Sequence, residues 1–222
     1  MKKVAAITIG QSPRVDLVPE ISKYLSDDIE IVEYGILDPY TYEEAEAILK
    51  PNQGDHVLVS RMRDGRQIKM NEHMVYGLVQ DCIHKIEKEG INTIFLMCTG
   101  KFPQFKHKGL LLEPFSLIHS IVNDITDSQI GIIVPDASQI SQSIKYWNES
   151  GNDVIIRTAS PYKSFEKEVE KIALDLKEKD IPLIVMDCMG YSSKMKETVK
   201  ELTEKPVLLP RVIMAKLLEE FA

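Results

Sequence analysis

Short apolar runs alternate with stretches of helical periodicity along the whole chain, and this alternation restricts the fold more than any other feature. The apolar runs predict strands at residues 4–9, 29–37, 91–97, 130–134, 153–158, 182–186 and 207–209. The periodic stretches predict helices at residues 15–25, 41–49, 71–89, 113–125, 138–147, 164–179, 192–203 and 210–221. Because strands separated by helices usually form a parallel sheet covered on both faces, the sequence predicts an α/β fold.

Local signals refine two parts of this pattern. Thr41 and Glu44 have the spacing of a capping box, which predicts the start of the helix over residues 41–49. The runs 57–62 and 67–70 flank an Asp-Gly pair and predict a hairpin. Residues 101–112 show neither period and are predicted to be a loop.

The chain has two halves of similar organisation. We predict an N-terminal α/β domain over residues 1–112 plus 210–222 and a C-terminal α/β domain over residues 113–209. In each half a buried strand runs directly into a cysteine, at Cys98 and at Cys188. The repeat is one of architecture, since the two halves do not share a sequence.

Glycine-bearing polar loops follow three of the predicted strands. They read Gly10-Gln11-Ser12-Pro13-Arg14, Cys98-Thr99-Gly100-Lys101 and Cys188-Met189-Gly190-Tyr191-Ser192-Ser193. Ligands of open α/β sheets bind beyond the carboxyl ends of strands, and glycine lets backbone N–H groups approach an anion closely. These loops are therefore the predicted site.

The two cysteines offer acid and base chemistry. Helix N-terminal N–H groups stabilise a thiolate, which then serves as a base or a nucleophile. Two opposed thiols can invert a carbon centre without a cofactor, one removing a proton and the other donating one. The structural alternative is that each cysteine only packs in the core, as we predict for Cys82 inside the helix 71–89.

The residues predicted to hold substrate share small size or hydrogen-bonding capacity. They are Gly10, Gln11, Ser12, Arg14, Thr99, Gly100, Met189 and Gly190. Arg14 is the favoured carboxylate clamp, with Arg61 and Arg63 as alternatives. Ser12 and Thr99 can instead cap helices. Asp187 weighs against a ready thiolate at Cys188, because a nearby negative charge raises the pKa of a thiol.

The charge and composition of the chain limit the classes of partner that we expect. The 222 residues carry a net charge of −7, which argues against nucleic-acid binding. The sequence contains no apolar run of membrane-spanning length, so we expect no membrane partner and a cytoplasmic location. Three cysteines predict thiols rather than a disulfide framework. No His or Cys motif has metal-ligand spacing, so we expect no metal.

Five short segments spread along the chain carry a family resemblance: Ile7-Thr8-Ile9-Gly10, Leu112-Glu113-Pro114, Gly131-Ile132-Ile133-Val134-Pro135, Asp187-Cys188-Met189-Gly190 and Pro206-Val207-Leu208-Leu209. Through them the sequence resembles the AroM family from end to end. AroM-like proteins are in turn similar to the aspartate/glutamate/hydantoin racemase superfamily. That similarity implies two Rossmann-like (flavodoxin-like) domains with parallel sheets, the ligand in the cleft between them and a catalytic cysteine in each.

Three functions remain open at this stage. The first is a cofactor-independent racemase, epimerase or isomerase of a small carboxylate-bearing molecule, with Cys98 and Cys188 as catalytic acid and base. The second is a one-thiol decarboxylase or cis–trans isomerase of the same superfamily. The third is a non-catalytic protein that binds such a ligand. A homodimer is also left open.

Overall fold

The chain forms two compact α/β units in a computed structural model, which describes residues 1–163 and 165–222. The first unit comprises residues 1–114 and 212–222, and the second comprises residues 115–211. Each unit contains a four-stranded sheet whose strands all run parallel. The predicted α/β class is confirmed.

The first unit is built on one sheet and one hairpin. The sheet strands are β1 (Lys2–Thr8), β2 (Ile29–Gly35), β5 (Thr93–Leu96) and β6 (Leu110–Leu112), and the hairpin is β3 (Val57–Arg61) with β4 (Gln67–Asn71). The strand order in the sheet is β2-β1-β5-β6. The helices are α1 (Val18–Ile21), α2 (Tyr42–Leu49) and α3 (Glu72–Lys88). The central strand β1 is buried over its last five residues, because it carries an apolar run into the middle of the sheet.

The second unit repeats that strand order. Its strands are β7 (Ile130–Val134), β8 (Val154–Thr158), β9 (Ile184–Met186) and β10 (Val207–Leu208), in the order β10-β9-β7-β8. Its helices are α4 (Pro114–Ile125), α5 (Ile140–Glu149), α6 (Phe165–Lys177) and α7 (Ser193–Thr203). Taken from the other edge, the sheet places β8, β7, β9 and β10 where the first sheet places β2, β1, β5 and β6. The strands that precede the two cysteines are therefore equivalent.

Some predicted bounds need correction. The helix predicted over residues 15–25 is only α1 followed by a 3-10 turn at Ser22–Tyr24, because Pro19 lies in the first turn of α1 and the chain before it follows a loop. The loop predicted over residues 101–112 ends in β6, a strand too short to show a period of its own. Ser164, the predicted first residue of the helix over 164–179, lies outside the described residues.

The last helix, α8 (Pro210–Phe221), lies almost wholly in the first unit although it follows the second in sequence. Met214, Ala215 and Leu218 are fully buried. Two further contacts lie within the first unit: the Lys2 ammonium donates to the Ala222 carbonyl at 2.8 Å, and Glu219 accepts from the Ser26 N–H at 2.8 Å.

Candidate active site

Cys98 lies in a tight turn just beyond the carboxyl end of β5. The N–H of Met97 still donates to the Ile7 carbonyl of β1 at 2.8 Å, and the Cys98 N–H turns back to the Leu96 carbonyl at 2.9 Å. The N–H of Gly100 then donates to the Cys98 sulfur at 3.3 Å. The cysteine packs at the edge of the apolar core and keeps 9% of its surface exposed.

Cys188 lies in the same kind of turn beyond β9. The Asp187 N–H donates to the Ile133 carbonyl of β7 at 2.9 Å, and the Cys188 N–H donates to the Met186 carbonyl at 2.8 Å. The Gly190 N–H donates to the Cys188 sulfur at 3.3 Å. Its exposed fraction is 8%.

The two turns share three hydrogen bonds: the residue before each cysteine donates to the adjacent strand, each cysteine N–H donates to the carbonyl two residues back, and the glycine N–H donates to the sulfur. In each, the amide of the glycine two residues on faces the sulfur, and an N–H donor favours the charged thiolate over the thiol. Residues 99–109 contain no helix, so no helix N-terminus follows Cys98. After Cys188 a helix does follow, with Ser192 capping α7.

Tyr162 is a neighbour of Cys188 that the sequence did not single out. Its hydroxyl lies 3.8 Å from the Cys188 sulfur. The residue follows the carboxyl end of β8, in the loop Ala159-Ser160-Pro161-Tyr162. The rule that pointed to the loops after the other strands applies equally to this one and is the signal that could have found it.

Asp187, which we expected to disfavour the Cys188 thiolate, is held by an aromatic side chain. Its Oδ2 accepts from the Trp147 indole N–H at 3.1 Å. The Trp147 ring stacks on His119, with the ring centroids 3.8 Å apart and the planes at 17°. His119 in turn lies 2.7 Å from the Ser150 hydroxyl through Nδ1. The indole N–H thus stabilises this carboxylate from within the unit.

Gln11, in the first predicted substrate loop, is buried and hydrogen-bonded to other residues of the protein. Its amide nitrogen donates to the carbonyls of Leu37 at 3.2 Å and Tyr40 at 2.8 Å, and its amide oxygen accepts from the Arg63 N–H at 2.9 Å. Gly10 precedes it against the hairpin, where an added Cβ would stand 2.3 Å from the Arg61 carbonyl oxygen. The loop is therefore anchored to its neighbours through both residues.

The other polar side chains of this loop also have partners in the first unit. Ser12 donates from its backbone N–H and its hydroxyl to the Asp38 carboxylate, at 2.7 and 2.6 Å. The Arg14 guanidinium is buried and donates to both oxygens of Asp16, at 2.9 and 2.8 Å, and to the Thr8 hydroxyl at 2.9 Å. Ser12 and Arg14, which are predicted to bind a substrate carboxylate, are thus each hydrogen-bonded to a carboxylate of the protein itself. Their role in substrate binding stays a prediction.

The remaining predicted substrate residues flank the two sulfurs. Thr99 and Gly100 are half-buried after Cys98. Met189 is buried after Cys188, and its carbonyl accepts from Arg211 at 3.0 Å. Among other residues, Glu113 at the end of β6 has a buried Oε1 without a hydrogen-bond partner, and burial raises its pKa although the charge of His107 opposes the shift.

Two findings concern metal-ligand clusters and membrane-spanning helices among the described residues. Within residues 1–163 and 165–222, no three His, Cys, Asp or Glu side chains are grouped so that they could hold a metal ion. Over the same part of the chain, no helix has both the length and the apolar character needed to cross a bilayer.

Several solved structures share this fold at low sequence identity. The aspartate racemase of Picrophilus torridus is 13% identical with a TM-score of 0.62, and the match covers 100% of this chain and 94% of that one. The maleate isomerase Iso of Pseudomonas putida S16 is 10% identical with a TM-score of 0.60, over 99% and 92%. Arylmalonate decarboxylase is 13% identical with a TM-score of 0.56, over 98% and 91%.

These likenesses show the fold: the chain shares it with an aspartate racemase, a maleate isomerase and arylmalonate decarboxylase. No curated protein matches the chain. The chain belongs to the AroM family, because residues 4–222 match the family described as AroM protein. The resemblance seen in the sequence is thereby confirmed.

Proposed function

We propose that this protein is a cofactor-independent racemase, epimerase or isomerase that acts on a small carboxylate-bearing molecule. Cys98 and Cys188 are its acid and base. The observation that carries the proposal is the matched pair of turns, in which a glycine N–H lies 3.3 Å from each sulfur. Such a donor stabilises the thiolate, which is the form of cysteine that takes a proton.

The proposed reaction moves one proton at each face of a carbon next to a carboxylate. One cysteine, as thiolate, removes the proton from the substrate carbon and becomes a thiol. The other, as thiol, gives its proton to the opposite face and becomes a thiolate. No electron leaves the substrate, so the reaction needs neither an oxidant nor a cofactor.

The test follows exchange of the substrate proton with solvent deuterium. A panel of amino acids, hydantoins and aromatic-pathway acids is first screened by thermal shift, and any ligand found is incubated with the protein in deuterium oxide. We expect Cys98→Ala and Cys188→Ala each to abolish inversion, because each removes one of the two proton-transferring groups. Cys82→Ala is the matched control and should keep full activity, since burial raises the pKa of that thiol to about 12. Full exchange in both active-site variants would rule out two-cysteine chemistry.

A second candidate is a one-thiol decarboxylase or cis–trans isomerase. The observation that favours it is the additional hydroxyl of Tyr162 beside Cys188. Maleate isomerase and arylmalonate decarboxylase, by name, carry out such reactions on this fold. Loss of turnover in Cys188→Ala with turnover retained in Cys98→Ala supports this candidate. A ligand that binds but is never converted indicates a binding protein instead.

A further inference from the structure

The hydroxyl of Tyr162 is placed to act on Cys188. It lies 3.8 Å from the sulfur, within the reach of a hydrogen bond to sulfur. The residue is half-buried, and its backbone N–H donates to the Ser160 hydroxyl at 3.1 Å. The backbone at Tyr162 is therefore held within its own loop.

The turn after Cys188 leaves room for this hydroxyl. A Cβ added to Gly190 would stand 2.2 Å from the Tyr162 oxygen, closer than any side chain can approach. Gly190 thus does two things: its N–H donates to the sulfur at 3.3 Å, and its lack of a side chain admits the tyrosine. The Gly190 N–H and the Tyr162 hydroxyl thus converge on one sulfur.

The other titratable and charged groups around the turn each make a hydrogen bond to another group. Tyr191 donates to the Ala159 carbonyl at 2.7 Å, Glu168 accepts from the Ser160 N–H at 3.0 Å, Asp187 accepts from Trp147 at 3.1 Å, and Arg211 donates to the Met189 carbonyl at 3.0 Å. Substituting Tyr162 leaves these four bonds in place.

We propose that Tyr162 is a positioning residue that donates a hydrogen bond to the Cys188 thiolate and thereby makes Cys188 the base of the site. The inference rests on the proposed function and specifies which thiol holds the negative charge. A thiolate has no proton to donate, so the hydroxyl is the donor in this pair. Donation to the charged form favours that form over the neutral thiol.

The experiment measures the rate at which iodoacetamide alkylates each cysteine as a function of pH, by peptide mass spectrometry of the full-length protein. In Tyr162→Phe we expect the midpoint for Cys188 to rise by about one pH unit, because one hydrogen bond to a charged sulfur is lost. Its limiting rate at high pH should be unchanged. The midpoint for Cys98, in the same sample, should not move. Tyr24→Phe is the matched control and should move neither.

An unchanged Cys188 midpoint in folded Tyr162→Phe would overturn the proposal, and so would an equal shift at Cys98. If the variant does not fold, 3-fluorotyrosine at position 162 keeps the ring and makes the hydroxyl a stronger donor. The Cys188 midpoint should then fall, and no change would again overturn it. These results can be told apart from a failure of the proposed function. A shifted Cys188 midpoint without substrate exchange supports the role of Tyr162 and rejects the racemase. Substrate exchange with an unchanged Cys188 midpoint supports the racemase and rejects the role of Tyr162.

Discussion

Asp16 lies between two guanidinium groups in the loop after β1. Arg14 binds both of its oxygens, and the Arg61 Nη1 lies 3.2 Å from Oδ1. Burial disfavours the charged carboxylate, but the hydrogen bonds and charge of Arg14 and the charge of Arg61 outweigh it and lower the pKa from 3.8 to about 2. The arginine that the sequence offers to a substrate is thus in a stable ion pair at neutral pH.

Replacing the Asp16 carboxylate by an amide removes this ion pair. Asp16→Asn should lower the free energy of unfolding by about 2 kcal/mol at pH 7, the equivalent of the pKa shift. Because the folded pKa lies below the unfolded one, the contribution of Asp16 is fully present above about pH 4 and is lost as the pH falls toward 2. Urea unfolding of both proteins at several pH values measures it. Asp27→Asn, an exposed aspartate of the same unit, is the control. An equal difference at pH 7 and pH 2 would contradict the assignment.

The local sequence specifies the first residues of a helix more directly than other parts of the fold. Thr41 and Glu44 form the predicted capping box of α2: the Thr41 hydroxyl accepts from the Glu44 N–H at 3.2 Å, and the Glu44 carboxylate accepts from the Thr41 N–H at 2.8 Å. Each of these two backbone N–H groups would otherwise lack an acceptor at the start of the helix, and each finds one within four consecutive residues. The helix therefore begins where the pattern alone predicted.

The cap can be tested by a pair of substitutions. Thr41→Ala should lower the free energy of unfolding by about 1 kcal/mol, because the Glu44 N–H loses its acceptor. Thr41→Ser keeps the hydroxyl and should cost far less. Thermal unfolding followed by circular dichroism compares the two. Equal losses in both variants would mean that the methyl group of Thr41, and not its hydroxyl, stabilises the start of α2.

The elements that the sequence pattern missed depend on long-range pairing. The strand β7 and the helix α8 have the predicted bounds, because each has a full apolar run or a complete helical period. The strand β6 is only three residues long and exists because Leu110–Leu112 pairs with β5. The helix α1 begins only at Val18, because Pro19 lies in its first turn and residues 10–14 are bound to the hairpin and to the loop after β2. Pro19 is a local signal, whereas the pairing that forms β6 and the contacts of residues 10–14 are not.

The two units of the molecule share one strand topology. In both units the first strand occupies the second position of the sheet, and the strand next to it ends at a cysteine turn. The repeat ends with α8, which is the last element in sequence but completes the first unit. The stability of the first unit therefore depends on residues that follow the second.

The prediction at this scale concerns α8. Leu218→Ala removes a fully buried side chain and should cost about 2–5 kcal/mol. Hydrogen exchange should accelerate over residues 1–114, whereas residues 115–211 should keep their protection, because Leu218 belongs to the first unit. Phe221→Ala, which removes a side chain that is 54% exposed, is the control. Loss of protection confined to residues 115–211 would contradict this assignment of α8.

The sequence by itself determined the α/β class, the strands that lead to Cys98 and Cys188, and the glycine two residues after each cysteine. Each of these depends on residues that are close in the chain, so periodicity and spacing carry the information. Only the tertiary structure decided three contacts. The Tyr162 hydroxyl lies beside the Cys188 sulfur, the Trp147 indole donates to Asp187, and the Arg14 guanidinium donates to Asp16. Such contacts depend on how side chains pack in three dimensions, and for Tyr162 and Trp147 the partners come from different elements. Such packing leaves no periodic trace in a single sequence.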